Sequence, residues 1–220
     1  MKHAAVRQTV VDLCLALSHK GFFAGTGGNL ALRIDAEHFA VTPSATDYHA
    51  MGAADVAVLR LADLVQLEGE RAPSVETGLH ARVLRARPDV GCSIHTHQPV
   101  ASACALLGQP LAVPPALRGS LGQRVPVVGY APSGTGWLAA MLGRALRPDV
   151  HAYLMRNHGI LCCGAGMAQA MQAVEDLEAL AHAELARRIA ERAAENLVLQ
   201  PALTRVLNAL SAQPMIDPMP

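Results

Sequence analysis

The sequence predicts a single mixed α/β domain. Its 220 residues are enough for one domain with a substantial core. Apolar residues recur at helical spacing in some stretches and alternate strictly in others. No internal repeat or low-complexity tract divides the chain. Apolar residues make up 51% of the sequence and aromatic ones only 3%, so the interior is built mainly from Ala, Val and Leu. The domain is expected over residues 1–211, with a proline-containing flexible tail at 212–220.

The first helix fits residues 4–20, where Ala5, Val10, Leu13 and Leu17 recur and Gly21 supplies a stop. A glycine loop, GTGG at 25–28, leads into NLALRI, which alternates like a strand. HFAVTP (38–43) and VAVLRL (56–61) read as further strands. Pro73-Ser74 opens a helix running to Arg87, with Val75, Leu79, Val83 and Ala86 as its buried stripe. A strand over 92–97 and a short helix over 100–107 follow. Residues 125–129 and 152–155 give two more strands, each ahead of a glycine-containing turn and a helix, the second helix being the alanine-rich 167–190.

Lys+Arg and Asp+Glu both number 18, so no charge excess points to nucleic acid or an acidic membrane surface. No uninterrupted apolar window of about 18 residues exists, so no membrane span is expected. Arg7 and Asp12 interrupt the first apolar stretch, so no signal peptide is expected either. The five cysteines include no CxxC pair and read as reduced thiols in or near the core. Cytoplasm is the expected location.

Chemistry concentrates in GCSIHTHQPV (91–100). Ser93, His95 and His97 alternate with Cys92, Ile94 and Thr96, so a strand sends both imidazoles off one face. His158, in RNHGIL after the strand at 152–155, would add a third nitrogen donor and leave one position open, as in a catalytic zinc site. Ordinary hydrogen-bonded histidines give the same pattern. Glu76 has two readings: a first-turn carboxylate favoured by the helix dipole, with Ser74 as N-cap, or a general base or acid that His80 orients from one turn later. Thr26, Gly28 and Asn29 lie in a loop with the glycine content of an anion cradle, though a plain turn fits equally. Ser44, Ser74 at a helix start, and Arg118 are further candidates for an anionic substrate group.

Taken together, TGGNLALR (26–33), TPSA (42–45), PSVETGLH (73–80), RPDVGCSIHTH (87–97) and NHGIL (157–161) resemble the class II aldolase/adducin family in order and spacing, over roughly residues 5–190. The resemblance implies an αβα domain with a central, largely antiparallel sheet, assembled as a homotetramer. It implies that His95, His97 and His158 bind a divalent metal, most often zinc, with manganese or cobalt also suited to imidazole ligands. Glu76 matches the family's catalytic carboxylate. The loops of Asn29, Ser44 and Ser74 match positions that hold a substrate phosphate.

The implied activity is that of a lyase: metal-dependent aldol cleavage of a small, sugar-derived and phosphorylated hydroxy-ketone through a metal-stabilised enediolate. Glu76 would move the proton if its pKa is tuned toward neutrality. Departures leave alternatives open. Fuculose-phosphate aldolases carry two serines before the carboxylate, whereas Val75 follows Ser74 here, and a position often glycine is Ala45. The tyrosine that those aldolases use as a proton donor falls at Ala116. PSVETGLH is also similar to methylthioribulose-phosphate dehydratases, while GYAPSGT (129–135) is more aldolase-like. A dehydratase or decarboxylase could use the same metal site. Family epimerases usually carry aspartate at the position of Glu76, and non-catalytic adducin-like modules would not need all three histidines.

Overall fold

A computed structural model describes residues 3–212. The first helix, α1 (Ala4–His19), buries Val10, Leu13, Cys14 and Leu17, close to the predicted stripe. Next come β1 (Asn29–Arg33), β2 (His38–Val41), β3 (Ala57–Arg60) and β4 (Gln66–Glu68), then α2 (Thr77–Ala86), β5 (Cys92–Thr96) and α3 (Pro99–Leu107). Beyond these lie β6 (Leu111–Ala112), the short α4 (Arg118–Leu121), β7 (Arg124–Val125), β8 (Val127–Val128) and α5 (Gly136–Ala145). The chain continues through β9 (Ala152–Met155), β10 (Gly159–Gly164), α6 (Met167–Glu195) and α7 (Gln200–Ala212).

Eight strands form one sheet in the order β4-β3-β2-β1-β5-β10-β9-β8. Every neighbouring pair in it is antiparallel except β8–β9, which is parallel. β6 and β7 form a separate small ribbon. Alternate strand residues feed two cores. Leu30, Leu32, Ile94, Leu154 and Ile160 pack with α1, α3 and α6 on one face. Ala31, Phe39, Leu59, Tyr153 and Leu161 pack with α2 and α5 on the other. The two-residue period thus gives an αβα sandwich, with β5 covered on both faces and fully buried along its length.

Several boundaries differ from the sequence-based expectation. Pro73 and Ser74 do not open α2. They pair instead with the 42–44 segment, through a Pro43–Pro73 bridge and reciprocal bonds Ser44 N to Ala72 O and Ser74 N to Thr42 O. That extended pairing delays the helix to Thr77. Val75 is accordingly 68% exposed, and Ala86 also faces solvent, so the buried stripe runs through Leu79, Val83 and Leu84. The strand expected at 125–129 splits into β7 and β8 around Pro126, which has no N–H for a ladder. The apolar run after His158 is β10 rather than a turn. The long helix continues to Glu195, and α7 packs on it. The tail from 213 onward lies outside the described residues.

All five cysteines are free and buried. Among the described residues no helix is long and apolar enough to cross a membrane. Leu142 on α5 is fully buried in the core shared with α2. Leu142→Ala is expected to lower unfolding free energy by about 2–5 kcal/mol, measured by urea denaturation.

Candidate metal and active site

Sheet topology brings the site together at one end of three adjacent strands. Asn29 is the first residue of β1 and pairs directly with His95, the penultimate residue of β5. His95 pairs in turn with Leu161 of β10. His97 lies just past the end of β5. His158 lies in the tight β9–β10 hairpin, in which Met155 opposes Gly159. Asn157 has φ +54° there, a left-handed conformation that asparagine tolerates better than most residues. A Cβ on Gly159 would stand 2.5 Å from Thr96 O and 2.6 Å from His97 Cδ2, so the histidine pair packs on a position open only to glycine.

The ligand atoms of His95, His97 and His158 all lie within 4.8 Å of one another. His95 is fully buried, His158 partly, and His97 opens to solvent. His95 Nδ1 is 2.6 Å from Ile160 O, a carbonyl that can only accept, so that nitrogen carries the proton. Its Nε2 lone pair then points at His97 Nε2, 2.8 Å away. Burial is the main cause that depresses His95 to about pKa 3, against the opposing attraction of Glu76. It is therefore neutral at pH 7. Three convergent imidazole nitrogens, one on a neutral ring with its tautomer set by a backbone carbonyl, fit a divalent cation well.

Glu76 precedes α2 as its N-cap residue but caps nothing with its side chain. Ser74 Oγ accepts from Glu76 N at 3.2 Å, fixing the backbone, while the carboxylate turns toward the histidines. Oε1 lies 3.0 Å from His158 Nε2 and accepts from Ser133 Oγ at 2.8 Å. Oε2 accepts from Asn29 Nδ2 at 2.9 Å and lies 3.2 Å from His95 Nε2. Burial pushes this carboxyl up, but the His158 hydrogen bond, attraction to His95, and the Asn29 and Ser133 bonds outweigh it. Its pKa falls well below the usual carboxylate range. In the metal-free site the groups facing Glu76 stabilise its charged form.

His80 does not touch Glu76; it bonds Asn29 instead, at 2.7 Å from Nε2 to Oδ1. Both polar atoms of the Asn29 side chain are therefore engaged. Ser44 and Ser74 lie on the two paired segments, Ser44 opposite Ala72 and Ser74 opposite Thr42, on either side of the Pro43–Pro73 bridge. Thr26 is exposed in the glycine loop, whose Gly27 approaches the His97 ring. Gly28 has a packing role: with φ +87°, its Cβ position lies 2.4 Å from the Phe23 ring. Arg118 is not brought into this group. It is exposed on α4, which packs against α6, and Leu121 of α4 binds His151 at the opposite end of β9 from His158. Ala116 is also exposed in the preceding turn. Ser133 and Ser93 were not legible as site residues: a serine after a proline in a loop and a serine in a strand carry no pattern of their own.

A three-histidine cluster with a buried carboxylate, at one end of a largely antiparallel sheet in an αβα domain, makes a candidate metal centre. The family described as class II aldolase and adducin N-terminal domain matches residues 8–185, and the chain belongs to it. A methylthioribulose-1-phosphate dehydratase of Serratia proteamaculans is 30% identical, over 84% of this chain and 96% of that protein. An L-fuculose phosphate aldolase of Haemophilus influenzae is 26% identical, over 82% of each chain. A solved L-fuculose 1-phosphate aldolase superposes with TM-score 0.78 at 30% identity, covering 83% of this chain and 86% of that one.

Acid should destabilise the metal-free protein. Burial depresses the fully buried His80 to about pKa 4, so between that value and about 6.5 the unfolded chain binds a proton that the native state does not. Stability from this group is complete above about pH 6.5 and is lost as pH falls through 4. Urea midpoints from pH 7 to 4 should fall, and His80→Gln should flatten part of that fall.

Proposed function

We propose that this protein is a divalent-metal-dependent lyase that cleaves a small, phosphorylated hydroxy-ketone by aldol chemistry, with His95, His97 and His158 as metal ligands and Glu76 as proton shuttle. One observation carries the reading: the Glu76 carboxylate, each oxygen of which accepts a hydrogen bond, lies within hydrogen-bond distance of two members of the three-histidine cluster. When bound, the metal, most often zinc in this family, polarises the substrate carbonyl and takes up negative charge developing on its oxygen.

The chain's own residues supply the rest. Glu76 removes the proton from the carbon beside the carbonyl in the synthetic direction and returns it in cleavage. Ser133 and Asn29 hold one carboxylate oxygen each, so the base meets that carbon without searching rotamers. Ser44, Ser74, Thr26 and Gly28 are the proposed contacts for the substrate phosphate. Arg118 is left out of the single-chain site. A homotetramer in the cytoplasm is the proposed working form. The exposed Tyr130 and Trp137 beside the Ser133 loop support burial of this rim in an assembly, which light scattering can measure.

A second reading has specific observations in its favour: the Serratia proteamaculans dehydratase aligns over 96% of its length, and Ala116 offers no phenolic proton donor. The same proton transfer by Glu76 followed by loss of a β-hydroxyl gives dehydration instead of carbon–carbon cleavage. Purified protein should hold about one divalent ion per chain, and His95→Ala should lose both ion and turnover. Glu76→Gln should keep the ion and lose about 10²- to 10⁴-fold in rate. NMR of products from phosphorylated ketoses decides between the reactions: aldehyde plus three-carbon ketone marks an aldolase, a diketone of unchanged carbon count a dehydratase. Equal kcat/KM for a phosphorylated substrate and its unphosphorylated counterpart would remove the phosphate contacts.

A further inference from the structure

Behind Glu76 runs a buried chain of polar groups drawn from three elements. Asn29 on β1 donates from Nδ2 to Glu76 Oε2 at 2.9 Å. His80 on α2 meets Asn29 Oδ1 through Nε2 at 2.7 Å. Ser93 on β5 meets His80 Nδ1 at 2.9 Å. His80 and Ser93 are both 0% exposed, and Asn29 is 7% exposed. Neither His80 nor Ser93 can touch a substrate from there.

The direction of every bond follows from the carboxylate. Glu76 can only accept, so the Asn29 amide must turn its NH2 toward it and its carbonyl oxygen toward His80. That carbonyl also only accepts, so His80 must carry its proton on Nε2. Nδ1 is then a lone pair, and the Ser93 hydroxyl donates to it. Four groups thus have one consistent arrangement, set from Glu76 outward to a serine in the centre of the sheet. Without the Ser93 donor, the buried Nδ1 lone pair has no partner and the ring that holds the Asn29 carbonyl loses its anchor. The Asn29 amide would then lose the partner that keeps its NH2 on Glu76.

We propose that His80 and Ser93 are positioning residues that lock the Asn29 amide and, through it, the reactive orientation of Glu76. The inference rests on the reading of Glu76 as proton shuttle. It also gives Asn29 a different task from the phosphate contact implied by family resemblance. Both its polar side-chain atoms are already bound within this chain of groups.

The first test needs no turnover. Long-range ¹H–¹⁵N spectra of the zinc-loaded full chain with labelled histidine, assigned by loss of the His80 signal in His80→Gln, should show His80 protonated on Nε2. Protonation on Nδ1 overturns the proposal. The second test uses Ser93→Ala, a truncation small enough to fold. It should lower kcat by about 10- to 100-fold with KM and metal content unchanged, and Ser93→Thr should restore most of the loss. Wild-type kcat in Ser93→Ala, or a loss confined to KM for the phosphorylated substrate, overturns it. If the wild type turns over no ketose phosphate, the functional reading fails, and the tautomer still decides the relay.

Discussion

The antiparallel ladder through β1, β5 and β10 is the constraint on which everything else depends. Because β5 pairs in opposite directions with both neighbours, the start of β1, the end of β5 and the start of β10 coincide at one end of the sheet. Asn29, His95 and the His158 hairpin meet there without any loop having to reach across the domain. A one-residue slip of β5 would turn His95 into the α3 and α6 core and Ile94 toward Glu76. The burial of both faces of β5 makes that slip prohibitive.

The same burial explains how the carboxylate is tolerated. An isolated charge in this interior would be expelled or neutralised. Here each oxygen of Glu76 has a hydroxyl or amide donor and lies near an imidazole, so the ionised form is the stable one. The cost of desolvation is met by partners that also fix geometry. Rigid support of this kind suits proton transfer, where a small displacement of the base slows the reaction strongly.

The aldol and dehydration reactions proposed for this chain have their demanding step in common. A proton moves at the carbon beside a carbonyl, and the fate of the next bond depends on what the surrounding loops hold in place. In this chain the candidate segments are the paired 42–44 and 72–74 stretches, where Ala45 and Val75 flank the pairing, and the Ser133 segment.

Much of the outcome was written in local sequence. Alternation and helical period located α1, β1, β2, β3 and β5, and the alternation of Ser93, His95 and His97 put both imidazoles on one side because side-chain direction in a strand is set by parity alone. The motif set also led to the family. Other features depended on partners distant in the chain. The start of α2 moved to Thr77 because Pro73 and Ser74 were captured by the 42–44 segment, and no pattern within residues 73–87 records that competition. β10 and α7 were missed because a short apolar run and a late amphipathic stretch become definite only against β5 and α6. The roles of Ser133, Ser93 and Asn29 were invisible for the same reason: a hydrogen bond needs its partner within about 3 Å. Only the folded sheet brings residues 29, 76, 80, 93 and 133 within that reach.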